Sequence, residues 1–122
     1  MNILMISDVY FPRVNGVSTA IMTLRRELQR AGHVITLIAP DYGEVTSDEE
    51  NIIRIPARRV WLDPEDRFMA MGDILNLLPQ LRAAGFDLVH IHTPFVAHYA
   101  GVKIARALGA PVVETYHTFF EE

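Results

Sequence analysis

"MNILMISDVYFPRVNGVSTAIMTLRRELQRAGHVITLIAP" occupies residues 1–40, and the way it alternates decides the fold. Ile3 to Ile6 is continuously apolar, so it reads as a strand buried on both faces. Ser7 to Asn15 is polar and aromatic and reads as a loop. Val17, Ile21, Leu24 and Leu28 then recur at helical spacing, with Arg25, Arg26, Gln29 and Arg30 away from that stripe. Gly32 stands where a left-handed cap would close the helix. Val34 to Ala39 is the second strand, stopped by Pro40. Strand, helix and strand in this order imply a parallel sheet covered by helices.

The pattern continues outward from that unit. Asn51 to Ile55 is a shorter third strand stopped by Pro56, and "DYGEVTSDEE" before it is a polar surface loop. Residues 57–66 lack a period and contain Pro64, which predicts an irregular connection. Phe68 to Ala84 has helical character, although Pro79 inside it removes a helix hydrogen bond and would also suit two shorter helices. Leu88 to Ile91 is a fourth strand, Phe95 or Val96 to Leu108 a helix closed by Gly109, and Pro111 to Thr115 a fifth strand. No internal repeat or linker interrupts this series. Right-handed crossovers then favour an α/β, Rossmann-like doubly wound parallel sheet in the order 3-2-1-4-5.

In such sheets ligands bind beyond the carboxyl ends of the strands, where strand order reverses. That point lies between strands one and four. The loops at this edge are residues 7–16, 92–95 and 116–120, and they hold much of the unusual chemistry of the chain.

Composition bounds the function classes. With 122 residues the chain suits one domain, 1–122, and half of it is hydrophobic. Fifteen acidic residues against 11 basic give a net charge of −4, which argues against nucleic acid as a partner. There is no cysteine, so no disulfide framework, thiolate metal site or cysteine nucleophile is available, which fits a reducing cytoplasm. The first apolar run lacks a basic leader and meets Asp8 too early for a signal peptide, and no window approaches the length of a membrane span.

Three motifs carry the candidate chemistry. "RVNGVS" sets Asn15 and Gly16 at a helix start, where free N–H groups and the helix dipole attract an anion such as phosphate; the alternative is that Asn15 simply caps the helix. The dinucleotide fingerprint and the P-loop are both absent, since Gly16 is the one glycine between Ser7 and Gly32. "HIHTPF" sets His90 and His92 on one sheet face if the strand runs through both, with no third ligand at informative spacing, so no metal is expected. "YHTFFEE" puts His117 just past the fifth strand, placed to bond a sugar hydroxyl or phosphate or to carry a proton. Glu121 and Glu122 read as the first turn of a further helix or as a solvated end. "RIPARRVW" groups Arg54, Arg58, Arg59 and Trp61, either as a solvated surface or as a contact for an anionic acceptor or lipid headgroup. A G-x-S-x-G hydrolase elbow does not occur.

Taken together, "SDVYFPRVNGVSTAI", "AGHVITLIAP", "FDLVHIHTPF" and "APVVETYHTFFEE" resemble, in order and spacing, the N-terminal half of retaining GT-B glycosyltransferases of family 4, the group 1 transferases. The resemblance covers nearly the whole chain and is greatest to the bacterial branch with diacylglycerol glucosyltransferases and related mannosyltransferases. It implies a Rossmann-like acceptor-side domain facing a second domain that holds most of a nucleotide-sugar donor, such as a UDP- or GDP-sugar. It implies transfer with retention and no cofactor or metal. By the same resemblance, Gly16, with Asn15 and Thr118, would meet the donor, and His117 would sit beside the transferred sugar as the catalytic residue. Asp8, Tyr10, His92 and Thr93 would border the acceptor, a lipid or a small molecule.

The second domain, with its paired-glutamate motif, has no counterpart in these residues. The chain is therefore expected to be an incomplete N-terminal domain, inactive alone, cytoplasmic or peripheral at the inner face of the membrane. Uncovered sheet surface would favour self-association or pairing with another chain. The alternative is a non-catalytic GT-B-like subunit that docks onto a separate catalytic chain. A flavodoxin-like or response-regulator module is a more distant reading, which a lone Asp8 before "VYFP" does not support.

Overall fold

The computed structural model describes residues 1–44, 48, 50–60 and 63–117. In chain order the elements are β1 (Asn2–Ile6), α1 (Gly16–Arg30), β2 (Val34–Asp41), β3 (Ile52–Val60), β4 (Asp63–Met69), α2 (Met71–Leu75), α3 (Leu78–Ala84), β5 (Leu88–Ile91), α4 (Val96–Leu108) and β6 (Val112–Glu114). They build a sheet in the order β4-β3-β2-β1-β5-β6. The five strands from β3 to β6 through β1 are parallel and match the order expected from the crossovers. At the far edge β4 is antiparallel to β3, which the sequence pattern did not reveal.

Alternating residues of the central strands feed two cores. Ile3, Met5, Ile35 and Leu37 pack with Val17 and Ile21 of α1. Leu4, Ile6, Ile38, Val89 and Ile91 pack on the opposite face with Ala97, Ala100 and Ile104 of α4 and Leu81 of α3. Each buried Ile or Leu removes enough apolar surface from water to contribute roughly 1.5–3 kcal/mol. β1 therefore has no polar face, and its sequence has none. α4 reaches β5 closely at Gly101, where an added Cβ would stand 2.6 Å from Ile91 Cγ1.

Several boundaries differ from the sequence expectation. Pro40 does not end β2. Leu37 N–H bonds Asn51 O towards β3, whereas Ile38 O accepts from Ser7 N towards β1, so Pro40 shares the side of Ile38. β1 has no residue in register beyond Ile6, opposite Ile38, and the missing N–H of Pro40 therefore costs no ladder bond. Pro56 does not end β3 either: it is the last residue paired with β2, and from Ala57 onward β3 pairs with β4 instead. The segment read as irregular and as the start of a helix supplies β4, which includes Phe68 and Met69. The remaining helical stretch is two helices, and Pro79 lies in the first turn of α3, where its lack of an N–H is harmless.

The helix ends follow local chemistry. Asn15 caps α1 by accepting from Ser18 N at 2.8 Å. Gly32 (φ 98°) and Gly109 (φ 67°) take the left-handed conformations beyond α1 and α4. Arg25 is a correction: the helical stripe placed it outside, but it is fully buried, donating to Tyr10 Oη and Glu50 O at 3.4 Å each. Its length lets the guanidinium pass beneath the loop after β1.

Candidate functional site

The carboxyl ends of β1, β5 and β6 are neighbours in the sheet, so the loops that follow them share one edge. Asp8, on the first loop, is buried, and its carboxylate is consumed by protein groups. Thr93 Oγ1 donates to Oδ2 at 2.5 Å, Phe95 N donates to Oδ2 at 3.2 Å, and Ala97 N donates to Oδ1 at 3.0 Å. Asp8 N in turn donates to Thr93 Oγ1 at 2.7 Å. Phe95, the residue before α4, offers no side-chain cap, so Asp8 caps that helix from across the sheet. Burial raises the Asp8 pKa, and the bonds from Thr93 and the α4 backbone oppose that rise. Asp8 and Thr93 thus fasten the first loop to the fourth-strand loop.

Tyr10 is 3 % exposed, packed against Phe11 and bonded through its hydroxyl to Arg25. The guanidinium of Arg54 lies 5.7 Å from its ring centre. Arg54 itself is held by Asp48 and by Pro40 O, so it does not stand on an open basic surface. Arg58 and Arg59 side chains, Trp61, Thr118, Glu121 and Glu122 lie outside the described residues.

The start of α1 is open. Asn15 uses Oδ1 on Ser18 N and its carbonyl on Thr19 N, so among the described residues the N–H groups of Gly16 and Val17 are the first-turn donors without a partner. A Cβ on Gly16 would meet nothing within 4 Å, so the approach to these donors is clear. Ser18 is fully buried, and its Oγ has no partner among the described residues. Ser18 was not singled out by the sequence; its position in the first turn of the helix, two residues past Gly16, was the available signal.

Three imidazoles gather on the other side of the edge. Met5 is in register with His90, and His90 with Val113, so His90, His92 and the residues two and four past Val113 belong to the α1-facing side. Thr115 N donates to Ile91 O at 2.9 Å, which extends the ladder and brings His117 over the end of β5. The rings of His90 and His92 are 4.0 Å apart between centres, and those of His92 and His117 5.5 Å. His92 Nδ1 and His117 Nε2 share a hydrogen bond of 3.2 Å, and His90 Nε2 is 2.6 Å from Thr115 Oγ1. Sequence spacing alone paired His90 with His92. It did not bring in His117 and Thr115, because that requires the register of β6.

Electrostatics keep this stack neutral. Burial, then the neighbouring His90 and His117, push the His92 pKa down to about 3. Burial and His117 lower that of His90, and burial lowers that of His117. Neutral imidazoles can each offer one N–H and one lone pair, which suits hydrogen bonding to a polar ligand. Among the described residues no group of three His, Asp or Glu is arranged to hold a metal ion. The edge therefore presents helix N–H donors for an anion and a partly buried imidazole for a neighbouring polar group.

Comparison with known proteins gives this edge a context. The family model for glycosyltransferase family 4 matches residues 14–122. The alpha-monoglucosyldiacylglycerol synthase of Streptococcus pneumoniae is 36 % identical over 123 aligned residues, covering 100 % of this chain and 28 % of that protein. The GDP-mannose-dependent alpha-mannosyltransferase of Mycobacterium tuberculosis is 30 % identical, covering 97 % of this chain and 32 % of that protein. The chain thus spans about a third or less of the length of these relatives. Among solved structures, the C-terminal domain of a hydrogenase from Pyrococcus furiosus superposes with a TM-score of 0.58 at 20 % identity, over 93 % of this chain and 90 % of that one, and bears on the fold alone. No described helix is long and apolar enough to cross a membrane.

Proposed function

The chain belongs to glycosyltransferase family 4, and from that premise we propose that it forms the acceptor-side part of an enzyme moving a hexose from a nucleotide-sugar to an acceptor with retention of configuration. One observation carries the reading: the open first turn of α1 at Gly16 and the His117 ring held by His92 lie on the same carboxyl edge of the sheet. The N–H groups of Gly16 and Val17 suit the donor diphosphate, where they would stabilise the charge that grows as it leaves. His117 stands by the transferred sugar. In the reaction the bond from the anomeric carbon to the diphosphate oxygen breaks, the acceptor oxygen bonds on the same face, and its proton passes to the departing phosphate.

The two kinds of relative differ in the activities their names state, one making a glucosylated diacylglycerol lipid and the other using GDP-mannose. Both fit a nucleotide-sugar donor, and the first suggests a lipid acceptor at the membrane surface. No cofactor is assigned. Asp8, Thr93 and Tyr10 serve this reading by fixing the loops that border the acceptor, since their polar groups are bonded to protein. Residues 1–122 span about a third or less of the relatives' length, and by this reading they are expected to be inactive alone.

The test is transfer by the full-length gene product from UDP-glucose and from GDP-mannose to diacylglycerol in mixed micelles, with the product anomer read by NMR. An α-linked product from an α-linked donor supports the reading, and an inverted product or hydrolysis without transfer overturns it. The exposed side chains of Val112 and Val113 on β6 favour a second reading, a subunit docking onto a separate catalytic chain. In that case the full-length product would transfer nothing until mixed with its partner.

A further inference from the structure

We propose that His92 is a positioning residue that sets the tautomer of His117, donating from Nδ1–H to His117 Nε2 so that His117 carries its own proton on Nδ1 and shows its ligand an N–H. The inference deepens the glycosyltransferase reading and rests on it for the identity of the ligand, but its chemistry is contained in the histidine stack. His92 is 1 % exposed, and its Nδ1 meets His117 Nε2 at 3.2 Å. Its Nε2 is buried with no partner among the described residues.

A neutral imidazole has a single N–H, so His92 must place it on one of these two nitrogens. With the proton on Nε2, a buried donor would be left without an acceptor, the rarer and costlier kind of orphan. With the proton on Nδ1, the donor is used and only a lone pair goes unmatched. The second arrangement wins, and burial keeps His92 neutral so that it holds near neutral pH. His117 Nε2 then has to accept.

His117, whose pKa is also lowered, is neutral as well and must therefore be protonated on Nδ1. Among the described residues that nitrogen makes no hydrogen bond. An imidazole fixed this way donates to an electron-rich oxygen, such as a sugar hydroxyl or a phosphate oxygen, and it cannot take a proton from the acceptor alcohol without first losing the bond to His92. The ligand atom facing His117 is accordingly a hydrogen-bond acceptor. His90 supports the arrangement by stacking on His92 while its own Nε2 is occupied by Thr115.

The experiment is nitrogen NMR of the full-length protein labelled in the histidine rings, with the His117 signals assigned by their loss in His117→Gln. The expected result is a protonated Nδ1 and a bare Nε2 on His117. His92→Phe removes the donor and should move His117 towards the Nε2–H form, whereas His92→Asn, whose amide nitrogen stands where Nδ1 stood, should retain Nδ1–H. A wild-type His117 protonated on Nε2, or a His117 unchanged in His92→Phe, overturns the proposal. If His92→Phe fails to fold, the wild-type tautomer and His92→Asn decide. In transfer assays kcat should fall roughly tenfold in His92→Phe with little change in KM, and His92→Asn should recover most of it. Absence of any sugar transfer would defeat the proposed function while leaving the tautomer measurement to stand or fall by itself.

Discussion

Asp8 accepts a hydrogen bond from Ala97 N at 3.0 Å across 89 residues of sequence, so the cap of α4 is supplied by the loop after β1. Removing it strands the N–H groups of Phe95 and Ala97 and the hydroxyl of Thr93. Asp8→Ala should therefore cost about 2–4 kcal/mol, measured by urea unfolding. The carboxylate pKa is raised by burial above 3.8, so the unfolded chain loses its proton first as pH climbs. Over that window the contribution of Asp8 to stability falls with rising pH. Asp8→Asn should lose less than Asp8→Ala and should gain on the wild type as pH rises through it; a constant gap between Asn variant and wild type would contradict this.

The histidine stack gives the opposite slope. His92 titrates near 6.5 when unfolded and at about 3 when folded, so between these values the unfolded chain binds the extra proton. Its contribution to stability is complete above 6.5 and is lost as pH falls towards 3, at up to about 1.4 kcal/mol per pH unit. His90 and His117, the titratable groups facing His92, are shifted in the same direction and steepen the loss. Unfolding midpoints from pH 7 to pH 4 should drop less in His92→Gln than in wild type.

At Gly101 two effects oppose each other. Alanine would favour the helix by about 1 kcal/mol. Its Cβ, however, would lie 2.6 Å from Ile91 Cγ1 and 3.3 Å from Ile6 Cγ2, and both residues are fully buried. Overpacking of that kind costs about 1–3 kcal/mol. Gly101→Ala should thus be destabilising by up to about 2 kcal/mol in thermal unfolding, and a raised midpoint would show that β5 yields freely.

Gly16 and His117 should separate stability from activity in the full-length protein. Gly16→Val meets no neighbour, so the fold should tolerate it, but its side chain would cover the donors at the start of α1. Nucleotide-sugar affinity should fall by roughly tenfold or more, read by titration calorimetry. His117→Ala should lower turnover by roughly a hundredfold while changing the melting temperature far less, by no more than the loss of its bond to His92. Equal donor affinity or equal turnover would refute the respective assignment.

The parallel core was legible because Ile3 to Ile6 of β1 is an unbroken buried apolar run and β2 and β5 are largely apolar, interrupted only by Thr36 and His90 before the polar ends. β4 was not, because "DPEDRFM" is polar and pairs at the sheet edge, where apolar periodicity is not required. The two prolines misled in another way. Proline stops a strand only where its absent N–H would have had a partner, and that depends on where the neighbouring strand ends. At the site, Gly16 and His117 could be singled out by residue type and position. The capping role of Asp8 and the burial of Arg25 could not, since each depends on a partner supplied by a distant segment.

β6 has three residues, lies at the edge of the sheet and is exposed along its whole length. Few apolar contacts hold such a strand, and it opens at a lower free energy than the centre of the sheet. Among the described residues, His117 is joined to the sheet through this strand. The population of molecules with His117 against His92 is accordingly governed by a local opening equilibrium, and amide exchange at Thr115, whose N–H binds Ile91 O, is its direct reporter.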